Sequence, residues 1–349
     1  MSIEVIRPGL LSTVQDEGRT GFRRYGIHPG GVMDTFAARV ANVLVGNSRG
    51  AAVLEMTMTG PELLFHENQL ISLCGADLTA AVDGLPVPLW RPTVILAGSV
   101  LRFGRCRSGL RAYMAVAGGI AVPEVMGSRS TDLKTSIGGL KGRALQVGDR
   151  LPVGEASREA QATLHSLSLY AEKNNRRMHA SAWYLSSREW PAYQADPVIC
   201  VMPGKDSAAF NKNSLERFHQ ERYVISPQSD RMGYRLEGAK LELGQPMDRL
   251  SEAVTYGTVQ VPADGQPIIL MADHQTIGGY PVIAQVARVD LPILAQARPG
   301  AKVAFKEITY EEAQQLFLEQ ELNWKLTDQL VRRRLSEMGA FNEHGGYQL

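Results

Sequence analysis

Ala97–Arg105 reads AGSVLRFGR, Val147–Gly154 reads VGDRLPVG, and Pro299–Lys306 reads PGAKVAFK. In each, a glycine with a small or polar neighbour opens a stretch whose apolar and polar residues alternate, the period of a half-buried strand. Repeated glycine turns punctuate any β-protein, or they mark a barrel duplicated in the two halves of the chain. Outward from the first phrase the texture is the same. AVLEM, QLISLCG, LTAAVDG, TVILAG and RAYMAVAGG are short β-rich runs divided by Gly, Pro and Asp turns, the rhythm of a sandwich or barrel. One helix interrupts them: Asp34 can cap it, Phe36, Ala37, Val40 and Leu44 form its buried stripe, and Gly46-Asn47 stops it.

Residues 155–195 are polar and hold no clean strand, which predicts a linker or helical insertion; Trp183 and Trp190 within it read as packing anchors. Strand signals resume at DPVICVMPG from Asp196. The expected division is a β subdomain over 1–154, a connector over 155–195, a second β subdomain over 196–306, and a helical tail over 307–349. In the tail Thr309 and Glu312 make a capping box. Leu316, Phe317, Trp324, Val331, Leu335 and Met338 approximate one face of a helix expected to break once or twice, and Arg332–Arg334 read as its solvated end.

Composition excludes several classes. Hydrophobic residues are 44% and charged residues 21% of 349, which describes a globular chain with a core. A net charge of +1 gives no reason to expect nucleic acid or an anionic membrane as partner. Cys74, Cys106 and Cys200 lie far apart, with no metal-ligand spacing, and no signal-length or membrane-length apolar run occurs, so a cytoplasmic location is expected. No phosphate-binding P-loop, dinucleotide fingerprint, H-E-x-x-H or G-x-S-x-G motif is present, and no metal site is expected.

What remains are five polar clusters rich in glycine. The first, Thr13–Asp34, holds Gln15, Asp16 and Arg19; the second is Cys74–Asp77, ending in Asp77. The third, Gly127–Arg143, holds Ser128, Arg129, Ser130, Thr131, Gly138 and Gly139; the fourth, Ser226–Gly238, holds Asp230, Arg231 and Arg235. The fifth, Val259–Tyr280, holds Gln260 and the stretch Asp273, His274, Gln275, Thr276, Gly278, Gly279 and Tyr280. Glycine turns expose N–H groups to an anion or oxyanion, arginines fork onto carboxylate or phosphate, and aspartates orient them or handle a proton. The bland alternative for any one cluster is an Arg–Asp pair bracing a turn. Asp273, Gln275, Arg129 and Asp16 are the candidate catalytic residues, and the other polar and glycine positions named are candidates for substrate or anion binding. His274 alternates away from Asp273 and Gln275 and is expected to be structural. Glu55 is either the buried partner of an arginine or an outward strand residue.

VQDEGRTGFRRYGIHPGGVMD, AGGIAVPEVMGSRSTD, SDRMGYRLEG and VQVPADGQPIILMADHQTIGGYP, in this order, resemble the family that holds biotin-dependent carboxyltransferases, the C subunits of 5-oxoprolinase and KipA-like chains. The resemblance covers about residues 3–306. It implies two cyclophilin-like β-barrels and a chain that works with two companions, a KipI-like B subunit and a YcsF-like A subunit. It implies part of a hydrolase, inactive alone, in an ATP-dependent opening of 5-oxoproline to glutamate, with the ATP and magnesium site on this or another chain of the complex. Its alternatives are a carboxyltransferase using carboxybiotin on urea or a related amide, and a non-catalytic antagonist of a KipI-like kinase inhibitor. One departure is PGKDSAAF, Pro203–Phe210, where the family pattern P-G-P-Q-x-D-x-F has Gln in place of Asp206 and Asp in place of Ala208.

Overall fold

The computed structural model describes residues 2–343 apart from 246, 248 and 249, so positions 344–349 of the expected tail lie outside the described residues. Its compact units are not consecutive in sequence. One takes the chain up to Gly18, Thr35–Trp190 and the chain from Trp324 on; the other takes Arg19–Asp34 and Pro191–Asn323.

The first unit is built from two six-stranded antiparallel sheets. One runs in the order Arg150–Pro152, Ser2–Arg7, Glu62–Phe65, Val100–Arg102, Ala81–Val82, Leu85–Pro86. The other runs Met178–Ala180, Thr93–Ile95, Gln69–Asp77, Ser108–Val116, Val53–Thr57, Leu11–Gln15. Alternation sends Ile3, Val5, Leu63 and Phe65 from the first sheet into one cluster with Leu54, Met56, Leu73 and Met114 from the second. The central strands Gln69–Asp77 and Ser108–Val116 are buried almost throughout, because the helix Thr35–Leu44 covers their other face, where Ser72 Oγ donates to the Ala41 carbonyl at 2.5 Å. A strand covered on both faces loses its alternation and reads as a continuous apolar run. Glu55 meets a tyrosine here: it is buried and accepts from Tyr113 Oη at 2.9 Å.

The connector is built into this unit as far as Trp190, and its last residues, from Pro191, belong to the other. The connector holds the helix Arg158–Lys173, capped by Ser157 Oγ on the Ala160 N–H at 3.2 Å. Its Met178–Ala180 segment, which shows no clean strand signal, pairs with Thr93–Ile95 as an edge strand. Three residues are too few for a period to show, so the partner strand decides. Trp190 stacks on the buried Trp90 at 4.3 Å between ring centroids.

The second unit is a closed seven-stranded barrel in the order Val198–Pro203, Val282–Val286, Thr258–Gln260, Ile268–Leu270, Gly233–Glu237, Tyr223–Ile225, Lys302–Glu307. The parallel pairing of Val198–Pro203 with Lys302–Glu307 closes it. The mainly β fold is the expected one. The three quoted phrases are alike in backbone as well as in letters: Gly98, Gly148 and Gly300 take φ of 76°, 81° and 89°, the left-handed turn a side chain resists, each just before a strand.

Tyr310–Glu343 is one unbroken helix of 34 residues rather than the broken tail expected, since no Pro or interior Gly interrupts it before Gly339. Its capping box forms: the Thr309 N–H donates to Glu312 at 2.7 Å and Glu312 N–H to Thr309 Oγ1 at 3.1 Å. Trp324, Val331 and Leu335 are buried. Leu316 is not; it is 38% exposed. No helix among the described residues is long and apolar enough to cross a membrane.

Candidate functional site

In the first unit, Asp16 follows the strand Leu11–Gln15 and gathers the Gly127–Thr131 loop around itself. Its Oδ1 accepts from Ser128 Oγ and Ser130 Oγ at 2.6 Å each and from Gly18 N–H at 2.8 Å; its Oδ2 accepts from Arg129 N–H at 2.5 Å. Four donors occupy both oxygens, so this carboxylate shapes a turn. The Arg129 side chain leaves in another direction, pairing with Glu124 at 2.7 Å and donating to the Val122 carbonyl at 2.9 Å. Gln15 is fully buried and donates to Thr13 and to the Thr131 carbonyl, both at 3.1 Å. Gly139 sits at φ 52°, and a Cβ there would lie 1.9 Å from Thr131 Oγ1; its neighbour Gly138 accepts from Gly142 N–H. Asp77 pairs with Arg107 at 3.2 Å and receives Thr79 N–H, a turn of its own.

In the second unit, Arg231 and Asp273 form a buried fork, Nε to Oδ2 at 2.8 Å and Nη2 to Oδ1 at 2.9 Å. Arg231 Nη2 also donates to the Gly31 carbonyl at 2.6 Å, and Asp273 N–H donates to the Arg231 carbonyl at 2.8 Å. The Arg19–Asp34 loop thus lies over this pair, close enough that a Cβ on Gly30 would be 3.6 Å from Asp273 Oδ1 and 3.8 Å from Arg19 Nη1. A buried bidentate pair of this kind is costly to break from either side. His274 is buried beside it, its Nδ1 2.6 Å from the Gln275 carbonyl. Burial, with the nearby Arg23 and His28, holds its imidazole below the usual histidine range. Asp230 turns the chain ahead, its Oδ1 accepting Met232 N–H at 2.8 Å and Gly233 N–H at 3.1 Å.

Past that turn the barrel carries an open cleft of about 970 Å³. The strand Gly233–Glu237 supplies one wall: Tyr234 and Leu236 face the core, so Arg235 and Glu237 face out on the other side. Gln260, Gln275 and Tyr280 line it with Asp230. The Arg235 guanidinium, the Gln275 amide and the Tyr280 hydroxyl make no hydrogen bond or ion pair among the described residues and are exposed in the cleft. Gln260 is 1% exposed and leans its Nε2 toward the Tyr280 carbonyl at 3.4 Å. Gly278 makes room for it, since a Cβ there would lie 2.5 Å from Gln260 Nε2. Gly278 is a strand residue paired with Glu252, and the Thr276 carbonyl accepts Val254 N–H at 3.2 Å, so Gly278 belongs to a small ladder that ends before Gly279. A Cβ at Gly279 would sit 3.3 Å from Ser251 Oγ.

Asp230, Arg235, Gln260, Gln275 and Tyr280 therefore share one cleft, with the Arg231–Asp273 pair behind it. Gln15, Asp16, Asp77, Ser128, Arg129, Ser130, Thr131, Gly138 and Gly139 belong to the first unit. Glu237, Gln228, Asp264 and Gln266 also line the cleft and are absent from the sequence candidates. Glu237 was within reach, because period two along GYRLE puts it beside Arg235. The cleft holds one arginine against three carboxylates, together with four glutamine side chains. That balance suits an uncharged amide with at most one carboxylate. Burial first, then Asp290, pushes the Cys200 thiol up to about 11, away from the reactive thiolate. PGKDSAAF serves the barrel, with Asp206 Oδ2 accepting Val282 N–H at 2.8 Å.

A closed β-barrel unit follows a two-sheet β unit along this chain, and the chain belongs to the family described as carboxyltransferase domain, subdomain A and B, matched over residues 25–307. It is 39% identical over 330 residues to the C subunit of the Escherichia coli K12 5-oxoprolinase, covering 93% of this chain and 98% of that protein. The C subunit of the Haemophilus influenzae 5-oxoprolinase is 37% identical, covering 90% and 94%. The solved urea amidolyase of K. lactis superposes with a TM-score of 0.82 at 29% identity, covering 93% of this chain and 20% of that one.

Proposed function

We propose that this chain is the C subunit of an ATP-dependent 5-oxoprolinase, working with a KipI-like and a YcsF-like partner to open 5-oxoproline to glutamate. The observation that carries the reading is the match to the C subunit of 5-oxoprolinase along nearly the whole of both chains. The cleft suits such a substrate, a lactam bearing one carboxylate. Arg235 is the cation for the carboxylate, and Gln275 and Tyr280 supply donors for the lactam oxygen, whose charge grows as the ring opens. The buried Gln260 positions Tyr280 through the Tyr280 carbonyl. The Arg231–Asp273 pair holds the Asp273–Tyr280 turn in place behind them. Nothing in the lining of this cleft calls for ATP, and on this reading the nucleotide and its magnesium are held elsewhere in the complex, on this or another chain.

A second reading has a specific support. A ureido group presents the same carbonyl to the same amides, and the urea amidolyase of Saccharomyces cerevisiae is 30% identical to this chain, which spans 18% of it. Carboxyl transfer from biotin to urea or a related amide is that alternative, with the carrier on another chain. The test is co-expression with the neighbouring subunits and an assay of ATP-dependent glutamate release from 5-oxoproline. Arg235→Ala and Gln275→Ala should each lower kcat/KM of the complex about 10²–10³-fold without loss of assembly. Near-normal turnover in both would remove the cleft from the mechanism. Turnover by the isolated chain as fast as by the complex would remove the reading as part of a complex, and glutamate release by neither would favour carboxyl transfer or a purely regulatory binder.

A further inference from the structure

Leu318, Leu322, Leu326 and Leu330 repeat at every fourth residue of the Tyr310–Glu343 helix and are 53%, 58%, 51% and 63% exposed. Residues four apart share a helix face, so they form one ridge about 18 Å long. The packed side of the helix is the opposite one, where Trp324, Val331 and Leu335 are buried. An exposed helix face normally carries charge, and four leucines in a row there are an apolar patch without an occupant among the described residues.

The charges flanking the ridge indicate what covers it. Residues 310–323 hold four acidic and no basic side chains, whereas 324–338 hold four basic and two acidic ones. Arg332 and Arg333 spend part of their charge on Asp328 and Glu337 within the helix, yet the second half stays net positive. Two such helices laid antiparallel about a two-fold axis at position 324 set Leu318 against Leu330 and Leu322 against Leu326. The same arrangement places each acidic half against a basic half, whereas a parallel pair would set like on like. Self-complementarity of this kind is the mark of an isologous interface. We infer that the ridge seats a second copy of this chain through an antiparallel pair of these helices. The inference does not depend on the proposed activity, since the helix lies beyond the residues matched by the family.

The ridge is short beside the roughly 1,200–2,000 Å² of a stable interface, so association in the micromolar range is expected. Sedimentation equilibrium of the full chain at about 1–100 μM, a range chosen to bracket that affinity, should show a monomer–dimer equilibrium. The double variant Leu322→Glu, Leu326→Glu should stay monomeric with an unchanged circular dichroism spectrum. A chain carrying Leu318→Cys, mixed with one carrying Leu330→Cys, should cross-link under mild oxidation well above the wild-type background, and neither should do so alone. The inference is overturned by a monomer at every concentration, by a dimer that survives the double variant, or by cross-linking of position 318 to itself. It is equally overturned if the double variant keeps its self-association and loses only a companion protein.

Discussion

Gly278 and Gln260 are two residues whose roles depend on each other. The amide of Gln260 is buried against a backbone that leaves no room for a Cβ at position 278. Alanine there moves the far end of a flexible side chain, so the cost in stability is small while the donor is displaced. Gly278→Ala should therefore lower turnover of the complex as Gln260→Ala does, by about tenfold or more, and the double variant should be no worse than either single one, as expected of residues acting through one contact. Additive losses in that cycle would separate the two residues. His274 poses a different question, one of pH. Its folded pKa is lowered, by burial first, so the unfolded chain binds the proton more readily. Its contribution to stability is complete above the unfolded value of about 6.5 and is lost as pH falls from there toward the folded pKa. His179 is shifted in the same direction by burial and Arg176, so only a comparison isolates one of them. Between pH 7.5 and 5.5, both bracketing a pKa of about 6.5, the Tm of the wild-type chain should fall further than that of His274→Gln; parallel Tm curves would show that His274 does not titrate on unfolding.

Among the elements, the Gly127–Thr131 loop lies outside the named strands, and Asp16 ties it down by accepting three hydrogen bonds from it, from Ser128, Arg129 and Ser130. Ser128 and Ser130 are fully buried and both hydroxyls donate to this carboxylate, so removing it takes away two buried hydrogen bonds to a charged acceptor. Asp16→Ala should cost about 3 kcal/mol in urea unfolding, since several hydrogen bonds to a charged acceptor are lost together. Asp16→Asn keeps an acceptor and should lose less. If the alanine variant kept full stability and lost only turnover, Asp16 would belong to the chemistry. The strand Gly233–Glu237 carries the opposite lesson. Its alternation decides two things at once, burying Tyr234 and Leu236 in the barrel and turning Arg235 and Glu237 to the cleft, and both were legible in five letters. The long C-terminal helix was legible at its start, where Thr309 and Glu312 cap it locally. Its continuity was harder to read, because an imperfect apolar stripe resembles a broken helix when the supporting surface is unknown.

At the scale of the whole molecule, local chemistry fixed what local chemistry can fix. Glycine turns, period-two strands, the helix cap and the ordered polar clusters are properties of a few adjacent residues, and from them the mainly β fold, the family and the cleft residues Gln260, Arg235 and Gln275 could be read. Pairing was decided elsewhere. Met178–Ala180 becomes a strand because Thr93–Ile95 offers an edge, and the barrel closes because Val198–Pro203 meets Lys302–Glu307 about a hundred residues later. The partner of each arginine was equally out of reach. Arg129 and Arg231 both stand in polar, glycine-rich phrases, yet one guanidinium meets Glu124 near the surface and the other is buried on Asp273. A charged side chain carries no sequence mark of its partner, because the energy that selects the partner is desolvation and geometry, and both exist only once the chain has folded.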